Sequence, residues 1–82
     1  MAWCVYILKC GDDSYYTGIT NDLEKRVNDH ECGKGAKYTR GRGPFKIIYK
    51  EDLDNRSEAS KREIEIKKLS RPDKEKLIIQ GR

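Results

Sequence analysis

The sequence predicts an α+β fold in which three antiparallel strands form a sheet flanked by helices, in the order β-β-α-β-α-α. Three observations support this fold. Three segments are rich in β-branched and aromatic residues, turn-forming residues separate the first two of them, and two helix-capping patterns precede charged, helix-compatible segments. At 82 residues the chain is near the lower size for a core without covalent staples, so we expect one domain over residues 1–82.

The three strands are predicted from residue type. Trp3 to Lys9 (WCVYILK) is a β-rich run and predicts the first strand. The turn-forming cluster Gly11-Asp12-Asp13-Ser14 joins it to a second short strand over Tyr15 to Ile19, which gives a hairpin. Phe45 to Leu53 predicts the third strand.

The helices are predicted from their capping signals. Asn21-Asp22-Leu23-Glu24 combines an Asx cap with a carboxylate three residues later, and this helix is expected to run to about Glu31. Asn55-Arg56-Ser57-Glu58 repeats the pattern and predicts a helix to about Ser70. Arg71-Pro72-Asp73 places proline at an early helical position and predicts a short final helix.

Composition restricts the environment and the partners. Charged residues make up 39% of the chain and the net charge is +4, which suits a polyanionic partner without requiring one. Cys4, Cys10 and Cys32 contain no Cys-x-x-Cys pair, so we expect free thiols and a reducing cytoplasm. No signal peptide is expected, and no apolar run approaches the roughly 20 residues that span a bilayer.

The first helix carries polar groups on its sheet-facing side. Leu23, Val27 and His30 fall on one stripe at about 100° per residue, and Arg26 flanks that stripe. Arg26 and His30 are four residues apart, so their side chains are neighbours. A titratable ring and a permanent cation are therefore expected to face the sheet together. The alternative is that His30 is a packed, hydrogen-bonded residue without a functional role.

The second helix carries a carboxylate on its buried side. Glu63 shares a face with Ala59 and Ile66, and a core-directed carboxylate is normally paired or bound to a metal. The alternative is a surface ion pair with Lys67 one turn later.

These residues match a known family. Val5-Tyr6-Ile7 and Tyr16-Thr17-Gly18 resemble the two tyrosine motifs of the GIY-YIG nuclease domain, and in particular those of its small stand-alone bacterial members. Glu58 to Glu63 (EASKRE) resembles the family's later E-A-x-x-x-E segment. Four further residues fall at the spacing that follows the second motif, namely Thr20, Leu23, Arg26 and His30. Val5 and Thr17 depart from the family pattern, but neither change removes a functional side chain.

The resemblance implies a catalytic site and its residues. It implies that Tyr6, Tyr16, Arg26, His30 and Glu63 converge on one cleft. Glu63 would bind one divalent ion, Mg²⁺ or Mn²⁺, and Arg26 would contact the phosphate. Either Tyr6 or His30 would act as the general base, and Tyr16 would orient water or phosphate.

The implied function is divalent-metal-dependent hydrolysis of phosphodiester bonds in DNA, with structured or single-stranded nucleic acid possible, in DNA repair or processing. DNA is expected ahead of RNA, together with a monomer or weak dimer and a protein partner for targeting. A basic loop that combines cations, an aromatic ring and glycines is expected to contact nucleic acid. Its candidate residues are Lys34, Lys37, Tyr38, Arg40, Arg42 and Lys46.

Three other interpretations remain open at this stage. The fold could bind nucleic acid while cleaving it poorly, or Asp73 to Ile79 could form a protein-interaction helix. A cysteine hydrolase is the weakest alternative, because Cys32 lies two residues after His30 but no third, orienting group is apparent.

Overall fold

The computed structural model describes residues 2–33, 39 and 41–80. Its elements follow the predicted order β-β-α-β-α-α, so the α+β fold is confirmed. Their bounds are β1 Trp3–Lys9, β2 Tyr15–Thr20, α1 Leu23–Glu31, β3 Lys46–Leu53, α2 Arg56–Lys67 and α3 Arg71–Gln80.

The sheet has the order β2-β1-β3, and the central strand β1 pairs antiparallel with both neighbours. In the hairpin, Tyr6 lies opposite Gly18 and Leu8 lies opposite Tyr16. Residues two apart on a strand share a face, so Tyr16 lies on the same face as Gly18 and therefore on the same face as Tyr6. This register brings the two motif tyrosines together, as the sequence interpretation required.

The apolar core occupies the opposite face of the sheet. A cluster of buried residues joins β1 and β3 to the last two helices, and it comprises Val5, Ile7, Tyr49, Ile66 and Ile78. Val5 and Ile7 alternate along β1 with Tyr6, which is why one strand supplies both the core and the candidate site. Helices α2 and α3 therefore cover the core face.

Both helix-capping predictions concern side-chain acceptors, and the structure corrects one of them. The carboxylate of Asp22, rather than the amide of Asn21, caps α1 by accepting from the Lys25 backbone N–H at 3.2 Å. Asn55 caps α2 as predicted, because its side chain accepts from the Glu58 backbone N–H at 2.9 Å.

Helix α2 ends at Lys67, three residues earlier than predicted. Ser70 serves the next helix instead, since its hydroxyl accepts from the Asp73 backbone N–H at 3.4 Å. Its carbonyl accepts from the Lys74 N–H at 2.9 Å. Pro72 then lies in the first turn of α3, where a missing N–H costs nothing.

Two expectations from composition concern cysteine and the membrane. Cys4 and Cys10 are buried and Cys32 is exposed, and all three are free thiols. Within the described residues, no helix is both long and apolar enough to cross a bilayer.

The contact between Gly18 and Tyr6 gives a stability prediction. A Cβ atom at residue 18 would lie 2.6 Å from the Tyr6 hydroxyl oxygen and 2.8 Å from its Cζ. Adding a Cβ to a strand glycine normally stabilises by about 0.5–1 kcal/mol. Here we expect Gly18→Ala to lower the free energy of unfolding by about 1–3 kcal/mol, because the overlap forces buried groups apart. Urea denaturation measures the change, and a gain in stability would contradict the close packing.

A second prediction concerns Thr17, whose side-chain oxygen is buried and has no hydrogen-bond partner in the described part of the chain. Replacing an unpaired buried hydroxyl by a methyl group of similar shape removes a desolvation penalty. Thr17→Val should therefore leave the free energy of unfolding unchanged or raise it by up to about 1 kcal/mol.

Thr20→Val is the matched control for Thr17→Val. The Thr20 hydroxyl is bonded to the backbone N–H of Asp22 at 3.1 Å and to its carbonyl at 3.2 Å. This control should lower stability by about 1 kcal/mol. Equal losses in the two variants would show that the Thr17 hydroxyl is also paired in solution.

Candidate active site

A buried hydrogen-bond chain crosses the sheet face opposite the core. The Tyr6 hydroxyl lies 3.0 Å from Nε2 of His30, and Nδ1 of His30 lies 2.8 Å from the Thr39 hydroxyl oxygen. Tyr6 is 0% exposed, and His30 and Thr39 are each 1% exposed. These hydrogen bonds link β1 to the C-terminal half of α1 and then to Thr39, which precedes β3.

The direction of these hydrogen bonds follows from Arg26. Its guanidinium interacts with the Tyr6 hydroxyl and, as a pure donor, leaves the tyrosine oxygen to accept. The buried Tyr6 O–H then needs an acceptor, and Nε2 of His30 is within reach. Neutral His30 therefore carries its proton on Nδ1 and donates it to Thr39, an arrangement that satisfies all these groups.

Burial shifts the pKa values of Tyr6 and His30 in opposite directions. It raises the pKa of Tyr6 to about 12, although the adjacent Arg26 acts in the other direction. It lowers the pKa of His30, and the charge of Arg26 adds to that effect. Both rings are therefore neutral at pH 7. Arg26 stays charged, because its interaction with Tyr6 raises the pKa of the guanidinium.

Aromatic rings surround this chain. The ring of Tyr16 lies 6.4 Å from that of Tyr6 and 5.3 Å from the His30 ring, between centroids. Phe45 lies 5.9 Å from His30. Tyr16 is half-buried, unlike Tyr6, and it also interacts with Arg26. Four predicted site residues thus form one cluster, namely Tyr6, Tyr16, Arg26 and His30.

Glu63 lies on α2, which packs on the core face, and it is the most buried of three carboxylates on that helix. Its side chain is 23% exposed, compared with 52% for Glu58 and 65% for Glu65. Within the described residues its polar contact is with Nζ of Lys67, at 3.6 Å. The ion pair considered as an alternative is therefore present, and the convergence of Glu63 with the tyrosine cluster stays a prediction.

The ligand chemistry at Glu63 fits Mg²⁺. The described part of the chain contains no group of three or more His, Cys, Asp or Glu side chains that could bind a metal. A structural zinc centre needs four protein ligands, and the described residues offer no such group. Mg²⁺, in contrast, commonly uses one or two carboxylates and takes its other ligands from water and phosphate. A part-buried carboxylate with an exchangeable lysine partner meets that requirement.

The predicted nucleic-acid contacts of the basic loop are described only in part. Lys34, Lys37, Tyr38 and Arg40 lie outside the described residues. Arg42 forms an ion pair with Asp12 of the hairpin turn, and Lys46 is exposed at the start of β3. The interpretation of this loop as a nucleic-acid contact stays a prediction.

Sequence reasoning missed Thr39 and Phe45 as parts of the cluster. Thr39 lies within the loop that was interpreted through its cations and its tyrosine. A hydroxyl has no periodic or spacing signal there, and its partner His30 is nine residues away. The need of a buried imidazole for a partner at its second nitrogen is the signal that could have found it.

Comparisons with known proteins agree with the motifs. A family model described as the GIY-YIG catalytic domain matches residues 2–77. The UPF0213 protein of Oceanobacillus iheyensis is 60% identical over 74 residues, which cover 90% of this chain and 86% of that protein. The UPF0213 protein of Clostridium perfringens is 61% identical over 74 residues, which cover 90% of this chain and 80% of that protein.

Solved structures also match the fold. The solution NMR structure of the UPF0213 protein from Bacillus halodurans superposes with a TM-score of 0.63 at 49% identity, covering 99% of this chain and 87% of that one. The solution NMR structure of a protein from E. faecalis gives a TM-score of 0.64 at 39% identity, with coverage of 94% and 83%. The motifs, the fold and the match over residues 2–77 together show that this chain belongs to the GIY-YIG family, whose members are generally nucleases.

Proposed function

We propose that the protein is a divalent-metal-dependent endonuclease that hydrolyses phosphodiester bonds in DNA. The observation that carries the proposal is the buried hydrogen bond between Tyr6 and His30 beside the Arg26 guanidinium. A proton acceptor and a cation suited to a phosphate therefore lie in one cluster, which supports the proposal. The family match over residues 2–77 supports the same reaction class.

Arg26 binds the scissile phosphate in this proposal. Its planar fork of donors matches two phosphate oxygens, and its contact strengthens as negative charge builds in the transition state. In the free protein the same guanidinium interacts with the hydroxyls of Tyr6 and Tyr16. No carboxylate among the described residues forms an ion pair with Arg26, which favours capture of an anion.

The Tyr6–His30 pair accepts the proton of the attacking water. A pKa of about 12 opposes a free Tyr6 phenolate, so we assign the final proton to His30. The water loses a proton to the Tyr6 oxygen while the Tyr6 proton moves to Nε2 of His30. Because Tyr6 is buried in the free protein, water reaches it after the phosphate has drawn Arg26 away. Tyr16, which is half-buried beside both groups, orients the water or the phosphate.

Glu63 is the residue that would bind the metal, after exchanging its lysine partner. Such an exchange costs little, because the pair joins a half-exposed lysine to the carboxylate at 3.6 Å, and ion pairs near the surface contribute about 0–1 kcal/mol. A divalent ion held there supplies positive charge to the scissile phosphate and the departing 3′ oxygen.

The biological setting follows from the same proposal. We assign the protein a function in DNA repair or processing in the cytoplasm, which suits its three free thiols. We attribute substrate selection to nucleic-acid shape, to a targeting partner or to weak dimerisation.

Substitution of Glu63 tests the proposed site. We expect Glu63→Gln and Arg26→Ala each to lower the rate of plasmid or labelled-oligonucleotide cleavage in Mg²⁺ or Mn²⁺ by about 10²–10³-fold, because each removes a charge that acts on the transition state. Glu65→Gln is the matched control, since Glu65 lies on the same helix but is mostly exposed. It should cleave at the wild-type rate.

Three outcomes would contradict this site or the whole function. Cleavage that survives in both Glu63→Gln and Arg26→Ala would show that the site lies elsewhere. Equal losses in Glu63→Gln and Glu65→Gln would point to helix charge in general. Salt-sensitive binding of DNA without turnover in any divalent metal would instead identify a nucleic-acid-binding module with a nuclease fold.

A pH titration tests the neutral state of His30. His30 is the single histidine of the chain, so one imidazole NMR signal reports on it. We expect its midpoint below the ordinary value of about 6.5, because burial and Arg26 lower the pKa. Cleavage should fall below the same midpoint, since protonated His30 cannot accept the Tyr6 proton. A midpoint at or above about 6.5 would contradict the buried, neutral assignment.

The same shift fixes the sign of the pH dependence of stability. Below pH 6.5 the unfolded chain gains a proton on His30 while the folded chain does not. The free energy of unfolding should therefore fall as the pH falls from about 6.5 towards the lowered folded-state pKa.

A further inference from the structure

A cleft of about 310 Å³ adjoins the tyrosine cluster but is not part of it. It is lined by Tyr15, Tyr16, Thr17, Lys67 and Lys74. We call it the edge cleft. Tyr16 belongs to both regions, and Lys67 is the ion-pair partner of Glu63. The edge cleft therefore shares Tyr16 with the tyrosine cluster and is lined by the lysine that pairs with Glu63.

The position of the edge cleft follows from strand geometry. Tyr15, Tyr16 and Thr17 are consecutive, so Tyr16 points to one face of the sheet and its two neighbours point to the other. A cleft lined by all three must run around an edge of β2. One side of β2 pairs with β1, and no other strand pairs with β2 in the described part of the chain. The edge cleft thus connects the site face with the core-face helices around this free edge.

The charges that line the edge cleft are positive. Lys67 is half-exposed and its partner Glu63 is not among the lining residues. The described residues provide no ion-pair partner for Lys74 within 4.0 Å, so its charge is uncompensated. Arg71, one turn before Lys74, lies 4.1 Å over the Tyr15 ring and is paired with Glu75 at 3.5 Å, so the cleft's own cations are Lys67 and Lys74. This combination of cations favours an anionic ligand.

The orphan hydroxyl of Thr17 is an independent observation at the same place. Its oxygen is buried without a partner in the described residues, although buried hydroxyls are almost always bonded. Thr17 also stands where the family motif carries isoleucine, so the sequence has introduced a polar group that the core does not need. An ordered water or a ligand oxygen at the bottom of the edge cleft would satisfy it.

We propose that the edge cleft binds a backbone phosphate of a nucleic-acid strand, next to the phosphate that is cleaved, through Lys67, Lys74 and the Thr17 hydroxyl. This proposal rests on the proposed function for the identity of the ligand. It extends the nucleic-acid path from Tyr16 around β2 to the junction of α2 and α3. Lys74 is the residue to substitute, because a change at Lys67 would also remove its ion pair with Glu63.

The first experiment measures binding without cleavage. A fluorescent single-stranded oligonucleotide is titrated with the chain in EDTA at several salt concentrations. We expect Lys74→Ala to weaken binding and to reduce the slope of log K against log salt by about 0.7, the value for one lost phosphate contact on single-stranded DNA. Lys76→Ala is the matched control. This variant removes the same charge from the same helix, but Lys76 does not line the edge cleft. The slope of log K against log salt for Lys76→Ala should therefore match that of the wild type.

Cleavage kinetics separate this proposal from the proposed catalytic function. Lys74→Ala should raise KM and leave kcat near the wild-type value, whereas Glu63→Gln should lower kcat. Equal salt slopes for wild type and Lys74→Ala would overturn the edge-cleft proposal and leave the nuclease assignment intact. Cleavage that survives in both Glu63→Gln and Arg26→Ala would overturn the catalytic assignment while the slopes still decide the edge cleft.

Inorganic phosphate provides a test that needs no nucleic acid. Titration followed by ¹H–¹⁵N NMR should shift the backbone amides of Tyr16, Thr17 and Lys67 in the wild type. The shifts should weaken in Lys74→Ala and in Thr17→Val, both of which should keep a folded spectrum. Phosphate shifts that avoid these amides, or that are the same in Lys74→Ala and Lys76→Ala, would overturn the proposal.

Discussion

The hydrogen bond between Tyr6 and His30 is the interaction on which the candidate site depends. His30 is the one fully buried residue of α1, so a polar contact adds to the half-buried Leu23 and Val27 in attaching this helix to the sheet. The same bond fixes the hydroxyl of Tyr6 above Gly18 and directs the second nitrogen of His30 towards Thr39. The buried Tyr6–His30 pair therefore depends on the glycine at residue 18, on the pairing of Tyr6 with Gly18 in the hairpin, and on the orientation of α1.

The electrostatic state of the site follows from that burial. A buried phenol and a buried imidazole are both driven to their neutral forms, from opposite directions. Arg26 is then the one permanent charge among the four clustered residues, and it interacts with Tyr6 and Tyr16. The proposed function uses this charge to bind an anion and the Tyr6–His30 pair to transfer a proton. Neither property requires a carboxylate in the cluster, which is consistent with Glu63 lying on a different element.

Much of the fold and part of the site could be predicted from the sequence, for identifiable reasons. The three strand segments are rich in β-branched and aromatic residues, which favour β-strands. Asn55 caps α2, as the spacing to Glu58 indicated. Helical spacing placed Arg26 and His30 on one side of α1. The hairpin register could not be predicted, because several turn lengths fit the sequence. It is set in three dimensions by the absence of a side chain at Gly18. The position of Glu63 relative to Tyr6 depends on how α2 packs, which no local pattern encodes.

The free edge of β2 has a consequence for assembly. Exposed strand edges are the usual place where a sheet grows by pairing with a second chain. In the described part of the chain that edge is bordered by Tyr16, which belongs to the tyrosine cluster. Under the proposed function, a dimer that continued the sheet through β2 would occupy the space of the substrate, and a dimer compatible with cleavage would form on another surface, such as the outer side of β3.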